Sequence, residues 1–299
     1  MCEIIEKNEG FHIPVMVEEV IEHLCSCEEG IYLDCTVGTG GHAYNILSKL
    51  PKAMVIGIDW DEDALNIAEK RLCKFRGRYY LCCENYVNAE KVLDAFGVES
   101  IDGIFLDLGV SRHQLDDARR GFSFQQEGSL DMRMSRKLGI TAEHILNTYS
   151  FKELADIFSV YGEERYALRI SKNICREREK YKIARVSQLV SIILSSVPKR
   201  KYRLHPATRV FQALRIVVNN ELENLRLFLA SGIFKRLKIN RRIVVISFHS
   251  LEDRIVKNSF KNLKFLKIVT KKPLTPSVEE VRNNPSARSA KLRVAEKAK

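Results

Sequence analysis

The sequence predicts an α/β fold in which a parallel sheet is wrapped by helices on both faces and interrupted by an all-helical insertion. Three observations carry that expectation. Apolar runs ending near glycine or aspartate alternate with helical spacing from Ile31 to Leu108, helical spacing alone continues from Thr141 to about Ser196, and a strand pattern returns at Arg242 to Phe248.

Pro14 stands in the first turn of an expected helix whose apolar residues are Val17, Val20, Ile21 and Leu24. Ile31 to Val37 reads as a buried strand that ends at Gly38, Gly40 and Gly41 and feeds a helix marked by Ala43, Ile46, Leu47 and Leu50. A second strand, Met54 to Ile58, stops at Asp59, and Leu65, Ala68 and Leu72 then recur at helical spacing. Tyr79 to Cys83 and Ile101 to Leu108 are the expected third and fourth strands, with helical Ala89 to Phe96 between them. Strands separated by helices pair in parallel, because the crossover helix returns the chain to the same end of the sheet. After the insertion, Phe211, Leu214, Val218, Leu222 and Leu225 mark a helix leading into the last strand, and the tail beyond Lys271 reads as basic and poorly periodic. The expected boundaries are 1–111 with 206–299 for the α/β domain and 112–205 for the insertion.

A chain of 299 residues, 45% hydrophobic and 29% charged, is long enough to bury a sizeable core. No apolar run approaches the roughly 18 residues of a membrane span, and the opening residues lack the basic-then-apolar order of a signal peptide. The expectation is a cytoplasmic protein with no membrane partner. Cys25 with Cys27, and Cys82 with Cys83, lack Cys-x-x-Cys spacing, so the eight cysteines read as reduced thiols and no metal site is expected. The formal charge of +11 points to a polyanionic partner. Between Arg165 and Arg209, thirteen Lys and Arg residues face only Glu177 and Glu179, which suits a phosphate backbone and equally a solvated helix face. Lys199, Arg200, Lys201 and Arg203 form its densest cluster.

Gly38-Thr39-Gly40-Gly41-His42-Ala43 fits G-x-G-x-x-A where a strand meets a helix, the place where backbone approaches a ligand closely. Asp59, at the tip of the second strand, suits the two hydroxyls of a ribose, or else caps the following helix. NAD and S-adenosylmethionine both present such a ribose. Asp107 ends the fourth strand at the edge where open α/β sheets bind ligands; it suits a cofactor amino group or a substrate amine, and its residue type does not separate the two. His205, Arg209 and Arg215 lie where the insertion rejoins the sheet and suit phosphate or base, against a helix start for His205 and an ion pair with Glu221 for Arg215. Ser247 and His249 follow the last strand, where a flipped base would be met.

A set of longer motifs now matters. His12-Ile13-Pro14-Val15, Asp34 to His42, Asp107-Leu108-Gly109-Val110-Ser111, Arg120-Gly121-Phe122-Ser123-Phe124, Leu130-Asp131-Met132-Arg133-Met134, Tyr161 to Arg165, His205-Pro206-Ala207-Thr208-Arg209, Ser247 to Arg254 and Ala287 to Arg293 resemble the bacterial ribosomal small-subunit methyltransferase H family, formerly MraW. The resemblance runs along nearly the whole chain. It implies a Rossmann-like S-adenosylmethionine methyltransferase fold and N4 methylation of a decoding-centre cytidine of 16S ribosomal RNA, in an assembled or nearly assembled small subunit. It also implies that the helical insertion grips RNA, and it leaves monomer and homodimer open. The family's cofactor contacts fall on Gly40, Gly41, His42, Asp59, Tyr86, Asp107 and Gln114. Tyr86 stands where the family usually has Phe, and Arg112-His113 replaces a Ser-Pro pair, so the loop carrying Gln114 is expected to be less rigid. The acidic or amide residue followed by Pro-Pro-Tyr or Phe, typical of other amino methyltransferases, is missing. On residues alone, a dehydrogenase and a purely RNA-binding assembly protein remain rivals.

Overall fold

The computed structural model describes residues 13–202 and 204–299; His12 and Arg203 lie outside them. They form two compact units, one reaching to Gly109 and resuming at Leu222, the other Val110–Glu221. The first unit is built on a seven-stranded sheet in the order β3-β2-β1-β4-β5-β7-β6. Its strands are β1 (Ile31–Asp34), β2 (Met54–Asp59), β3 (Tyr79–Cys83), β4 (Ile101–Asp107), β5 (Leu237–Ser247), β6 (Leu266–Ile268) and β7 (Lys291–Lys297). The first five run parallel, and β7 is antiparallel to both β5 and β6.

Side-chain alternation sorts the apolar strand residues into two cores, one on each face of the sheet. Leu33, Ile56, Ile104, Leu106, Ile243 and Val245 belong to one, and Tyr32, Val55, Phe105, Val244 and Ile246 to the other. Because β1 lies between β2 and β4, the strand order reverses beside it, and the carboxyl ends of β1 and β4 border the crevice where open α/β sheets receive ligands. The tail, read from sequence as poorly periodic, contributes β7 between β5 and β6. Lys291, Arg293, Glu296 and Lys297 hide the strand pattern, yet Leu292, Val294 and Ala295 are fully buried. Arg293 is buried with them because Asp253 accepts two of its N–H groups, at 2.6 and 3.3 Å.

The second unit is helical, with helices Ala142–Thr148, Phe151–Val160, Ala167–Arg178, Val186–Ser196 and Ala207–Asn219. The last of these packs on the helices Phe151–Val160 and Ala142–Thr148, so it sides with this unit rather than with the sheet domain to which residues from 206 onward were assigned. The amphipathic pattern marks which residues are buried and does not name what buries them. Among the described cysteines, Cys25, Cys27, Cys35, Cys82, Cys83 and Cys175 are free thiols, whereas Cys73 is disulfide-bonded, against the expectation of reduced thiols throughout. Spacing rules test only for sequence neighbours and do not speak to such a bond. No helix among the described residues is long and apolar enough to cross a membrane.

Candidate functional site

In the sheet unit the glycine-rich turn leaves β1 and enters the helix Gly41–Lys49. Gly38 has φ +50° and Gly40 φ +79°, a left-handed backbone that an L side chain strains to adopt. A Cβ on Gly40 would also meet Ala68 and Leu72 at 3.3 Å. The turn is bound to β2: the Gly38 N–H donates to Asp59 Oδ2 at 2.8 Å, and Asp59 Oδ1 accepts the Asp61 N–H at 2.9 Å. Asp61 caps the helix Glu62–Leu72, so the capping alternative for Asp59 passes to its neighbour and Asp59 keeps lone pairs for a ligand. Burial pushes the Asp59 carboxyl up to about 6, opposed by these backbone N–H groups.

Three polar side chains lie together at the carboxyl ends of β1 and β4. The His42 Nε2 is 3.5 Å from Asp107 Oδ2, and the His42 ring packs on Phe105 with centroids 4.5 Å apart. Thr36 ties this corner together, its hydroxyl accepting the Asp107 N–H at 2.6 Å. Asp34, only 1% exposed, accepts the Thr36 N–H at 3.2 Å through Oδ1. Burial pushes its carboxyl up to about 7, with His42 pulling the other way. Asp34 Oδ2, both ring nitrogens of His42 and Asp107 Oδ1 are buried without a hydrogen-bond partner. Unpaired polar atoms of this kind cost free energy in the isolated chain and are explained when a polar ligand supplies the partners. Asp34 was not singled out from sequence; its signal is an acid closing an otherwise apolar strand.

Tyr86 opens a 3₁₀ turn, Tyr86–Asn88, capped by Asn85, and its ring stands edge-on to Phe228 at 5.5 Å. At the end of β5, Ser247 is 2% exposed and donates to the Lys291 carbonyl at 3.4 Å. His249 caps the helix Ser250–Asn262, with Nδ1 accepting the Glu252 N–H at 3.4 Å, while Glu252 Oε2 accepts the N–H groups of Phe248 and His249. Its cap role is therefore occupied, but His249 Nε2, 3.2 Å from Glu252 Oε1, has no bond of good geometry.

In the helical unit, Ser111 and Gln114 form a capping box: Gln114 Oε1 accepts the Ser111 N–H at 3.0 Å, and Arg112 pairs with Asp116 at 2.9 Å. Arg215 is held by Glu221 through two bonds of 2.8 and 2.9 Å and leaves the set of RNA candidates, because its charge and its planar fork are already used. Arg209 donates to the Glu163 carbonyl at 2.7 Å but stays exposed. Among the other cations, Arg178 caps the helix Ala142–Thr148 through the carbonyls of Leu146 and Tyr149, and Lys182 pairs with Glu143. Lys199, Arg200 and Lys201 are exposed, with the Arg200 guanidinium 5.0 Å from the Tyr202 ring centre. His205 Nδ1 accepts the Ala207 N–H at 3.2 Å, the helix-start role held open for it, and its ring stacks on Phe124.

Residues 9–298 match the model of the MraW methylase family. Ribosomal RNA small subunit methyltransferase H of Thermotoga neapolitana is 52% identical over 293 residues, 98% of each chain. The proteins of the same name from Pseudothermotoga lettingae and Carboxydothermus hydrogenoformans are 49% and 47% identical, with coverage of 96% of this chain and 98% and 97% of theirs.

Proposed function

The chain belongs to the MraW methylase family, and from that premise we propose that it is an S-adenosylmethionine-dependent methyltransferase of small-subunit ribosomal RNA that methylates the exocyclic N4 of a decoding-centre cytidine. Its substrate is the 16S RNA of an assembled or nearly assembled subunit, and its place of work is the cytoplasm. The observation that carries the reading is the set of unpartnered buried atoms on Asp34, His42 and Asp107 beside the glycine turn. Such a donor and acceptor set fits the charged methionine end of the cofactor, while Asp59 suits the ribose hydroxyls and Tyr86 an adenine face. Gly40 is the N-cap of the helix that Gly41 and His42 open; its own N–H donates to the Val37 carbonyl, and with no capping side chain there the N–H groups of the first turn suit a carboxylate. Gln114 completes the family set of contacts.

When bound, the cofactor supplies an electrophilic methyl carbon on a sulfonium. The chain's own work is positioning. Gly38 and Asp61 hold the Asp59 carboxylate from behind, and Thr36 holds the end of β4 from which Asp107 projects. The cytidine amine becomes nucleophilic when its lone pair leaves ring conjugation and aims at the methyl carbon, and an acceptor near its hydrogens favours that geometry. Asp107 is assigned first to the cofactor and second to that acceptor role. The test is transfer of radiolabelled methyl to isolated small subunits followed by nucleoside analysis. Label recovered as N4-methylcytidine is the expected result; label in another nucleoside, or none, rejects the reading.

A further inference from the structure

We infer that the parallel stack of His205 on Phe124 is a platform for one unpaired base of the substrate RNA; the inference rests on the ribosomal-RNA reading and adds where a base is received. The two ring centroids are 4.7 Å apart and the planes 13° from parallel. Phe124 in turn meets Phe211 edge-on at 5.6 Å, and Phe211 is buried in the helix Ala207–Asn219. The lower ring of the stack is thus fixed to the core of the helical unit, while His205 is exposed. Phe124 covers one face of the imidazole, and the residue as a whole stays open to solvent. The ring cannot turn freely either, because Nδ1 accepts the Ala207 N–H, which leaves Nε2 to carry the proton.

A helix start needs only an acceptor and does not call for an aromatic partner, so the cap leaves the Phe124 stack unexplained. Unpaired RNA bases are received on flat rings of Phe, Tyr, Trp or His beside cations that hold the backbone. Those cations are adjacent: Lys199, Arg200 and Lys201 are exposed and precede His205 by four to six residues. The chemistry at this corner is therefore a π face with a donor edge next to phosphate-binding charge.

The decisive variant is His205→Asn, which keeps an acceptor for the Ala207 N–H and removes the ring. With a fluorescent transcript of small-subunit ribosomal RNA as probe, anisotropy should report an affinity lower by about 5- to 100-fold, the scale of one base–aromatic stack. The slope of log affinity against log salt should not change, since no phosphate contact is lost. His205→Phe restores the ring without either nitrogen and should bind within about threefold of wild type. Wild-type affinity in His205→Asn overturns the platform, and so does a His205→Phe variant as weak as His205→Asn, which would assign the contact to Nε2–H. A wild-type protein that fails to bind the transcript overturns the ribosomal-RNA reading itself, and the platform with it.

Discussion

Asp34 and Asp59 are acids whose burial works against their own charge, and each therefore couples the site to pH. The Asp34 carboxyl is pushed up to about 7, so the folded chain holds its proton more tightly than the unfolded chain does. Its stabilising contribution is complete below the ordinary carboxylate value and is lost as pH rises through about 7. Asp34→Asn imitates the neutral carboxyl at every pH. Without cofactor, this variant should melt above wild type by a margin that opens above about pH 4, widens up to about pH 7 and then levels off at roughly 4 kcal/mol; a margin independent of pH would mean that Asp34 is not protonated in the folded chain. Asp59→Ala should weaken S-adenosylhomocysteine binding by roughly 1 to 3 kcal/mol, the cost of leaving ribose hydroxyls unpaired, and calorimetry reads this directly. Undiminished affinity would move the ribose elsewhere. Asp107→Ala should abolish methyl transfer, and the same calorimetry assigns its role. Lost affinity identifies a cofactor ligand, kept affinity identifies the acceptor at the amine, and wild-type turnover rejects both.

The elements that were legible in the sequence are those whose burial shows as an unbroken apolar run. β1, β2 and β4 are buried on both faces, so their patterns stand out, and Gly40, Asp59 and Asp107, proposed above as cofactor contacts, sit where those runs stop. β7 was not legible, because a strand that pairs its charges with other elements looks like a solvated tail. The same limit applies to His205 and Phe124, whose stack joins two loops that no local spacing rule connects. Arg215 was legible only as a choice between RNA and Glu221, since a guanidinium suits a phosphate and a carboxylate alike. β7 makes its own prediction. Burial works to raise the Asp253 carboxyl, but Arg293 and Lys291 outweigh it and hold the group below the ordinary range. An acid depressed in this way adds stability above its unfolded value and loses it as pH falls. Arg293→Met should cost about 1 to 3 kcal/mol near neutral pH, because Asp253 is left partly buried with only the Lys291 ammonium, 3.6 Å away, beside it, and the deficit should shrink below about pH 4 as the carboxyl protonates. A deficit that is the same in acid would trace the loss to packing instead of charge.

Across the whole molecule, the sheet unit carries the glycine turn and its acids, and the helical unit carries the exposed cluster Lys199, Arg200 and Lys201, so cofactor affinity and RNA affinity are expected to be separable by mutation. Much of the positive charge between Arg165 and Arg209 is already committed: Arg178 caps a helix, Lys182 meets Glu143, and Lys180 and Arg176 share Glu177. Lys199, Arg200 and Lys201 are a better test than the total charge, because they are exposed and follow Pro198 in a segment between helices. Phosphate contacts release counterions, and each one lost lowers the salt slope by about one unit. Replacing all three by Gln should therefore flatten the slope for small-subunit RNA by up to about 3 units, while S-adenosylhomocysteine binding stays where it was. Asp59→Ala should do the reverse, keeping the slope and losing the cofactor. If the triple variant keeps the wild-type slope with its helical circular dichroism intact, these cations form a solvated face. The phosphate grip would then be sought on the helix Ala167–Arg178, where Arg169 and Lys172 are exposed. The basic tail is a weaker alternative, since β7 commits Arg293 to Asp253 inside the sheet unit.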